Sequence, residues 1–218
     1  MKEIKILSIS ALCIFLFLCC ACRSTKNSSE VDSVSGATHP VSEELEEHSV
    51  TAIPAIQSEN EKTRAIVFVD SVEHGNTQRV AETIALKINA PVLDIKSIDM
   101  EKINFSALED YALIGFGSGI DSGRHYRRML DFAENLPELQ NKNAFIFSTC
   151  SINDKKMKNH DALKKILQNR GFCVIGEFSC LGHNANSFLK WFGGINKGRP
   201  NTDDLRNAEQ FALTLLQE

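Results

Sequence analysis

The chain has 218 residues, room for one domain with appendages, and its 43% hydrophobic content is ordinary for a globular protein. Its formal net charge of −4 argues against nucleic acid as a partner. The acidity sits in residues 23–62, where eight acids stand against Arg23, Lys26 and Lys62.

At the start, Lys2 and Lys5 precede an apolar run from Ile6 to Cys20. A charged segment followed by a short apolar one is the pattern of an export leader, too short to span a bilayer comfortably. The run ends in Leu18-Cys19-Cys20-Ala21-Cys22, which resembles the lipobox of bacterial lipoproteins. That resemblance implies a lipid on Cys22, with Cys20 as an alternative acceptor because Leu18 stands one place too far back; an uncleaved N-terminal anchor is the plainer reading. All of these place the rest of the chain outside the cytoplasm, at a membrane surface.

Residues 23–62 are rich in Ser, Glu, Asn and Thr and carry no sustained apolar period, so they read as a disordered tether. Forty residues of such chain reach on the order of 35 Å root-mean-square. Within them, Asp32-Ser33-Val34-Ser35-Gly36-Ala37-Thr38 resembles the Asp-x-x-Ser-Gly-Ala-Thr motif of proteins modified by a flavin transferase. The resemblance implies FMN joined through a phosphoester to the Thr38 hydroxyl. The transferase would then be a partner.

From residue 63 to 218 apolar runs alternate with helical patterns. Strands are expected at 64–69, 92–95, 111–116, 143–148 and 172–179, and helices at 77–88, 123–135, 158–170 and 202–217. The strands are continuous apolar runs, as buried parallel strands require. Val80, Ile84 and Ile88 share one helix face, as do Leu205, Ala208, Ala212 and Leu215. Asn201 or Thr202 is expected to cap the last helix. This alternation predicts a doubly wound α/β domain whose ligand site lies beyond the carboxyl ends of the strands.

The loop after the first strand, Ser71-Val72-Glu73-His74-Gly75-Asn76-Thr77, brackets Gly and Asn with hydroxyls and opens a helix. Free N–H groups and the positive end of a helix dipole suit it to a phosphate, although a plain capped helix accounts for Thr77 alone. After the third strand comes Gly117-Ser118-Gly119-Ile120-Asp121-Ser122-Gly123, whose glycines let backbone lie against a flat ring. After the fourth comes Ser148-Thr149-Cys150-Ser151. These loops, in this order of elements, resemble the flavodoxin family, its short-chain members above all, over residues 64–217. The resemblance implies a five-stranded parallel sheet of order 2-1-3-4-5 and a bound FMN. Ser71 to Thr77 would hold the phosphate, Gly117 to Ser122 would cover one ring face, and Ser148 to Ser151 would flank the other edge. Asp121 stands where that family often has an aromatic; Tyr126 or His125 is the alternative stacking group. A carboxylate there would lower the flavin's potential.

Other residues carry less. Cys150, Cys173 and Cys180 lack disulfide or metal-ligand spacing; Cys173 and Cys180, seven apart on one strand, should face opposite sides. His160 and His183 read as structural or exposed. Trp191 is expected to pack with Phe188 and Phe192. Lys155, Lys156 and Lys158 form a basic loop that could dock an acidic partner. No catalytic acid, base or nucleophile is evident. The leading function is an FMN-binding electron carrier, lipid-anchored outside the cytoplasm and exchanging electrons with membrane redox partner proteins. The alternatives are a flavin-dependent NAD(P)H:quinone-type reductase and a non-redox interaction lipoprotein that has lost FMN.

Overall fold

The computed structural model describes residues 52–54, 64–152, 158–185, 191 and 193–217. The leader with Cys22, the Thr38 motif and most of the expected tether lie outside the described residues. The elements in chain order are β1 (Ala65–Asp70), α1 (Asn76–Ile88), β2 (Val92–Asp94), β3 (Leu113–Asp121), β4 (Arg124–His125), α2 (Arg127–Glu134), β5 (Lys142–Cys150), α3 (Asp161–Asn169), β6 (Phe172–Leu181) and α4 (Thr202–Leu215). Five strands run parallel in the order β2-β1-β3-β5-β6, and β4 folds back antiparallel on β3. Setting β4 aside, this is the expected doubly wound order.

The sheet's alternation sorts the core into two layers. Ile66, Phe68, Ile114, Phe116, Ala144 and Ile146 share a buried cluster with Met129, Phe132 and Ala133 of α2 and with Leu163 and Leu167 of α3. Val67, Val69, Phe145 and Phe147 face the other way, onto Val80, Ala81 and Ile84 of α1 and Ala208 and Ala212 of α4. Both faces are covered, which is why β1 is buried at every residue and reads as one apolar run. The last helix is closed by Asn201, whose side chain accepts from the Asp204 N–H while the Asp204 carboxylate accepts from the Asn201 N–H, a reciprocal capping box.

Five expectations change. The helix expected at 123–135 begins at Arg127, because Ser122 and Gly123 adopt positive φ (51° and 80°) and turn the chain back into β4. Such a two-residue turn matches the twist of a hairpin. Consequently residues 117–121 are strand rather than loop, and β5 likewise extends through Cys150. Cys173 and Cys180 occupy the same face, since a register shift opposite Ala144 and Phe145 adds a residue to β6 and reverses the alternation. Cys173 is exposed and Cys180 buried. Trp191 is 89% exposed rather than packed.

Three residues inside the stretch read as tether lie against the domain. Ala52 bridges Asn104, Ile53 is buried in the α2/α3-side core, and the Pro54 carbonyl accepts from the Tyr111 hydroxyl at 2.6 Å. Among the described residues no helix is long and apolar enough to cross a membrane.

Candidate cofactor site at the carboxyl edge of the sheet

Parallel register aligns Asp70, Ser118, Ser148 and Ser179 in one row across β1, β3, β5 and β6. They continue the α2/α3-facing apolar rows by one step, so their side chains are buried. Buried polar groups need partners. Asp70 meets Arg128 of α2 at 2.9 Å. The Ser118 hydroxyl lies 2.8 Å from His125 Nδ1 and accepts from the Tyr126 N–H at 3.1 Å. The Ser148 hydroxyl lies 2.8 Å from His160 Nε2 and 2.9 Å from the Ser179 hydroxyl. His160 Nδ1 faces Glu177 at 3.1 Å, and Lys164 donates to the same carboxylate at 2.5 Å. Asp70 Oδ2 and His125 Nε2 are buried without a hydrogen-bond partner among the described residues.

Burial dominates the electrostatics of this layer. It pushes the Asp70 carboxyl up, against the pull of Arg128. It holds the His125 imidazole well below the ordinary histidine range, with His160 adding to the effect. Burial also lowers His160, while Glu177 draws it back up.

One step further along the strands a cavity of about 320 Å³ opens. Val72 and Asn76 line it from the first loop, and Ile120, Asp121 and Tyr126 from β3 and the start of α2. Thr149, Cys150 and Ser151 line it from the end of β5, and Gly182, His183 and Asn184 from the chain after β6. The wall is tied together from behind. Thr77 and Thr149 share a hydrogen bond of 2.8 Å, and Asn76 donates to the His183 carbonyl at 2.7 Å. Asn184 donates to the Ser151 hydroxyl at 2.7 Å. The His74 and His183 rings stack at 4.3 Å between centroids. The N-terminus of α1 enters through Asn76, with His74 and Gly75 both left-handed (φ 64° and 62°) and no acid in its first turn.

The expected site residues therefore separate. Val72, Asn76, Ile120, Asp121, Thr149, Cys150 and Ser151 line the cavity. The Ser71 hydroxyl instead accepts from the Gln78 N–H at 3.1 Å and serves the helix start, and Thr77 is engaged with Thr149. Ser118 and Ser148 are wholly buried and turn away toward α2 and α3. Gly117 makes room for a protein ring, since a Cβ there would lie 2.2 Å from Phe147. Gly119 does the same for Tyr126, again at 2.2 Å. The side chain of Glu73 lies outside the described residues, and Ser122 is exposed in the turn.

Sequence reasoning passed over Gly182 and Asn184, and it read His183, which lines the cavity, as structural or exposed. They follow a strand at the same edge as the other loops, and that position was the available signal. It also passed over the order Ser148–His160–Glu177. This has the hydrogen-bond sequence of a nucleophile, base and acid, yet Ser148 is 0% exposed, so no substrate reaches it. Among the described residues there is no cluster of three or more His, Cys, Asp or Glu placed to hold a metal.

A family model described as a flavodoxin domain matches residues 66–182. An uncharacterised protein of Methanocaldococcus jannaschii is 40% identical over 154 residues, 71% of this chain and 99% of that one. The crystal structure of oxidised flavodoxin 1 from Bacillus cereus aligns with TM-score 0.52 at 23% identity, covering 71% of this chain and 98% of its own. The flavodoxin of Streptococcus pneumonia aligns with TM-score 0.52 at 18% identity over 70% of this chain and 98% of its own. At these identities the two structures speak to the fold.

Proposed function

The chain belongs to the flavodoxin domain family, and on that premise we propose that it is an FMN-binding electron-transfer protein, lipid-anchored outside the cytoplasm. The observation that carries the cofactor reading is the cavity beyond β1, β3, β5 and β6, lined both by Asn76 at the N-terminus of α1 and by Ile120 and Asp121 at the end of β3. Its residues fit such a group. Neutral donors at Asn76, Thr149 and Ser151 and the open N–H groups of α1 suit a phosphate. Ile120, Tyr126 and the half-exposed Val72 offer flat and apolar surface to a ring. FMN, when bound, supplies the one- and two-electron chemistry.

The protein's own part is to bind, orient and set the local charge. Thr77–Thr149 and Asn76–His183 hold three loops in one wall, so the donors stand in place before a ligand arrives. Asp121 places a carboxylate on the cavity rim. The leader motif supports lipid attachment at Cys22, and the Thr38 motif supports a second, covalent FMN on the tether. Redox partners at the membrane follow from that placement, and the flavin transferase from Thr38.

Protein purified from its host's membranes tests this. Visible flavin absorption released into the supernatant on acid precipitation marks cavity-bound FMN. Flavin fluorescence retained in the pellet, and lost in Thr38→Ala, marks the covalent site. A colourless protein that takes up no FMN overturns the electron-transfer reading and leaves an interaction lipoprotein.

A further inference from the structure

His160 is a fully buried histidine that the cofactor reading does not use. Its Nε2 lies 2.8 Å from Ser148 and its Nδ1 3.1 Å from Glu177. Glu177 is 18% exposed and is joined to Lys164, which is 36% exposed. The Nδ1 side of the ring is therefore tied to charged groups at the α3-side surface. In the other direction Ser148 bonds Ser179 at 2.9 Å, and Ser179 lies 3.7 Å from Cys150 Sγ, on the cavity wall. One polar chain thus runs from the cavity wall to the opposite surface, with a single titratable base near its middle.

The hydrogen bonds can be assigned a direction. Glu177, paired to Lys164, is a carboxylate and accepts, so His160 Nδ1 carries the proton and Nε2 accepts from Ser148. Ser148 then accepts from Ser179. Nε2 becomes a donor only if the imidazole takes a second proton, and the two hydroxyls then rotate to point toward the cavity wall. That reversal costs no broken contact, because each hydroxyl can donate or accept.

Resting on the FMN reading, we propose that His160 takes up the proton that balances the negative charge gained by the cavity when its flavin is reduced. Per event, one electron passes from a one-electron donor protein to the flavin, and one proton enters from the cavity side along Ser179 and Ser148 to His160 Nε2, each hydroxyl passing on its own proton and receiving the next. Re-oxidation releases both. His160 is a positioning and charge-balancing residue; it touches neither electron donor nor cofactor.

The groups facing it fix the sign. Glu177 of β6 and Asp161 of α3 favour its charged form. Lys164 of α3 opposes it, and so does any charge on His125, whose ring lies 5.0 Å away on β4. Burial opposes it most, so the ring rests neutral at ordinary pH, and an added negative charge at the cavity moves it toward protonation.

The test is ¹⁵N NMR of the His160 ring, titrated with pH in the FMN-loaded protein, oxidised and then reduced with dithionite. We expect its midpoint to rise on reduction by about one pH unit, a tenfold gain in proton affinity. We also expect the pH dependence of the flavin midpoint potential to lose the matching inflection in His160→Gln. Glu177→Gln keeps the imidazole and covers failure of the first variant to fold; it should move the inflection to lower pH. A bound flavin with an unmoved His160 ring overturns this inference alone. Absence of flavin absorption after FMN addition overturns it together with the cofactor reading.

Discussion

Thr77 and Thr149 stand 72 residues apart in the chain, yet their buried hydroxyls meet at 2.8 Å and fasten the first turn of α1 to the end of β5. Replacing either with Val keeps the shape and strands the other hydroxyl without its partner. Thr77→Val should cost about 1–2 kcal/mol in urea unfolding. The double variant should cost less than the sum of the singles, because nothing is then left unpaired. Additive losses would show that the two hydroxyls do not depend on each other.

Gly119 lies under the Tyr126 ring, and a Cβ there would meet the Tyr126 hydroxyl at 2.2 Å and its Cζ at 2.3 Å. Gly119→Ala must displace that ring from the cavity wall. Overpacking of this kind costs about 1–3 kcal/mol. FMN affinity, read by fluorescence quenching, should fall while Gly119→Ala/Tyr126→Ala recovers part of the lost stability. Unchanged affinity in the single variant would remove Tyr126 from the ring-binding surface.

Asp121 ends β3 at the rim, exposed, with the Ser122 hydroxyl donating to its Oδ1 at 3.1 Å. A carboxylate there disfavours added negative charge. Asp121→Asn should raise the flavin midpoint potential on the order of a few tens of millivolts, less at high salt, since the charge is solvent-screened. Potentiometry giving the same value in both proteins would place Asp121 too far away to act.

His125 is held by burial below the ordinary histidine value of 6.5, and His160 is lowered as well. Below pH about 6.5 the unfolded chain binds protons at these sites that the folded one does not. Stability is therefore complete above that pH and falls as pH drops through it, by at most about 1.4 kcal/mol per pH unit for each histidine. Asp70 works the other way, because its folded carboxyl is raised above 3.8 and takes its proton first, but its window lies lower. Urea titrations from pH 8 to 5 should show the fall. His125→Asn, which keeps a group near Nδ1 for Ser118, should flatten it; an equally steep profile would exclude His125 as its source.

Ile53 is 6% exposed in the core, and Tyr111 bonds the Pro54 carbonyl. A chain starting at residue 52 should match one starting at residue 23 in stability. One starting at residue 63 should lose about 2 kcal/mol, the worth of one buried Ile. Equal midpoints in urea would mean that the docked segment contributes nothing.

Much of the fold is legible because buried parallel strands must be apolar throughout and their covering helices amphipathic. Ala65 to Val69 and the Val80, Ala81, Ile84 face show this directly. The start of α2 was misplaced because Arg124 and His125 have no local signal for strand; the turn at Ser122 and Gly123 and the facing edge of β3 impose it. The parity of Cys173 and Cys180 was misjudged because a bulge is set by packing between strands.

The sequence by itself determined the layered α/β architecture, the sheet edge that carries the candidate site and three of the loops around it, since periodicity and turn chemistry are local. Which face each loop side chain takes was decided only in the tertiary structure. Ser118 and Ser148 stand in motifs suited to a cofactor, yet strand alternation carries them into the protein. His183 and Asn184 carry no motif, yet the end of β6 sets them in the wall. Register and alternation are properties of paired strands, and a single strand read alone does not contain them.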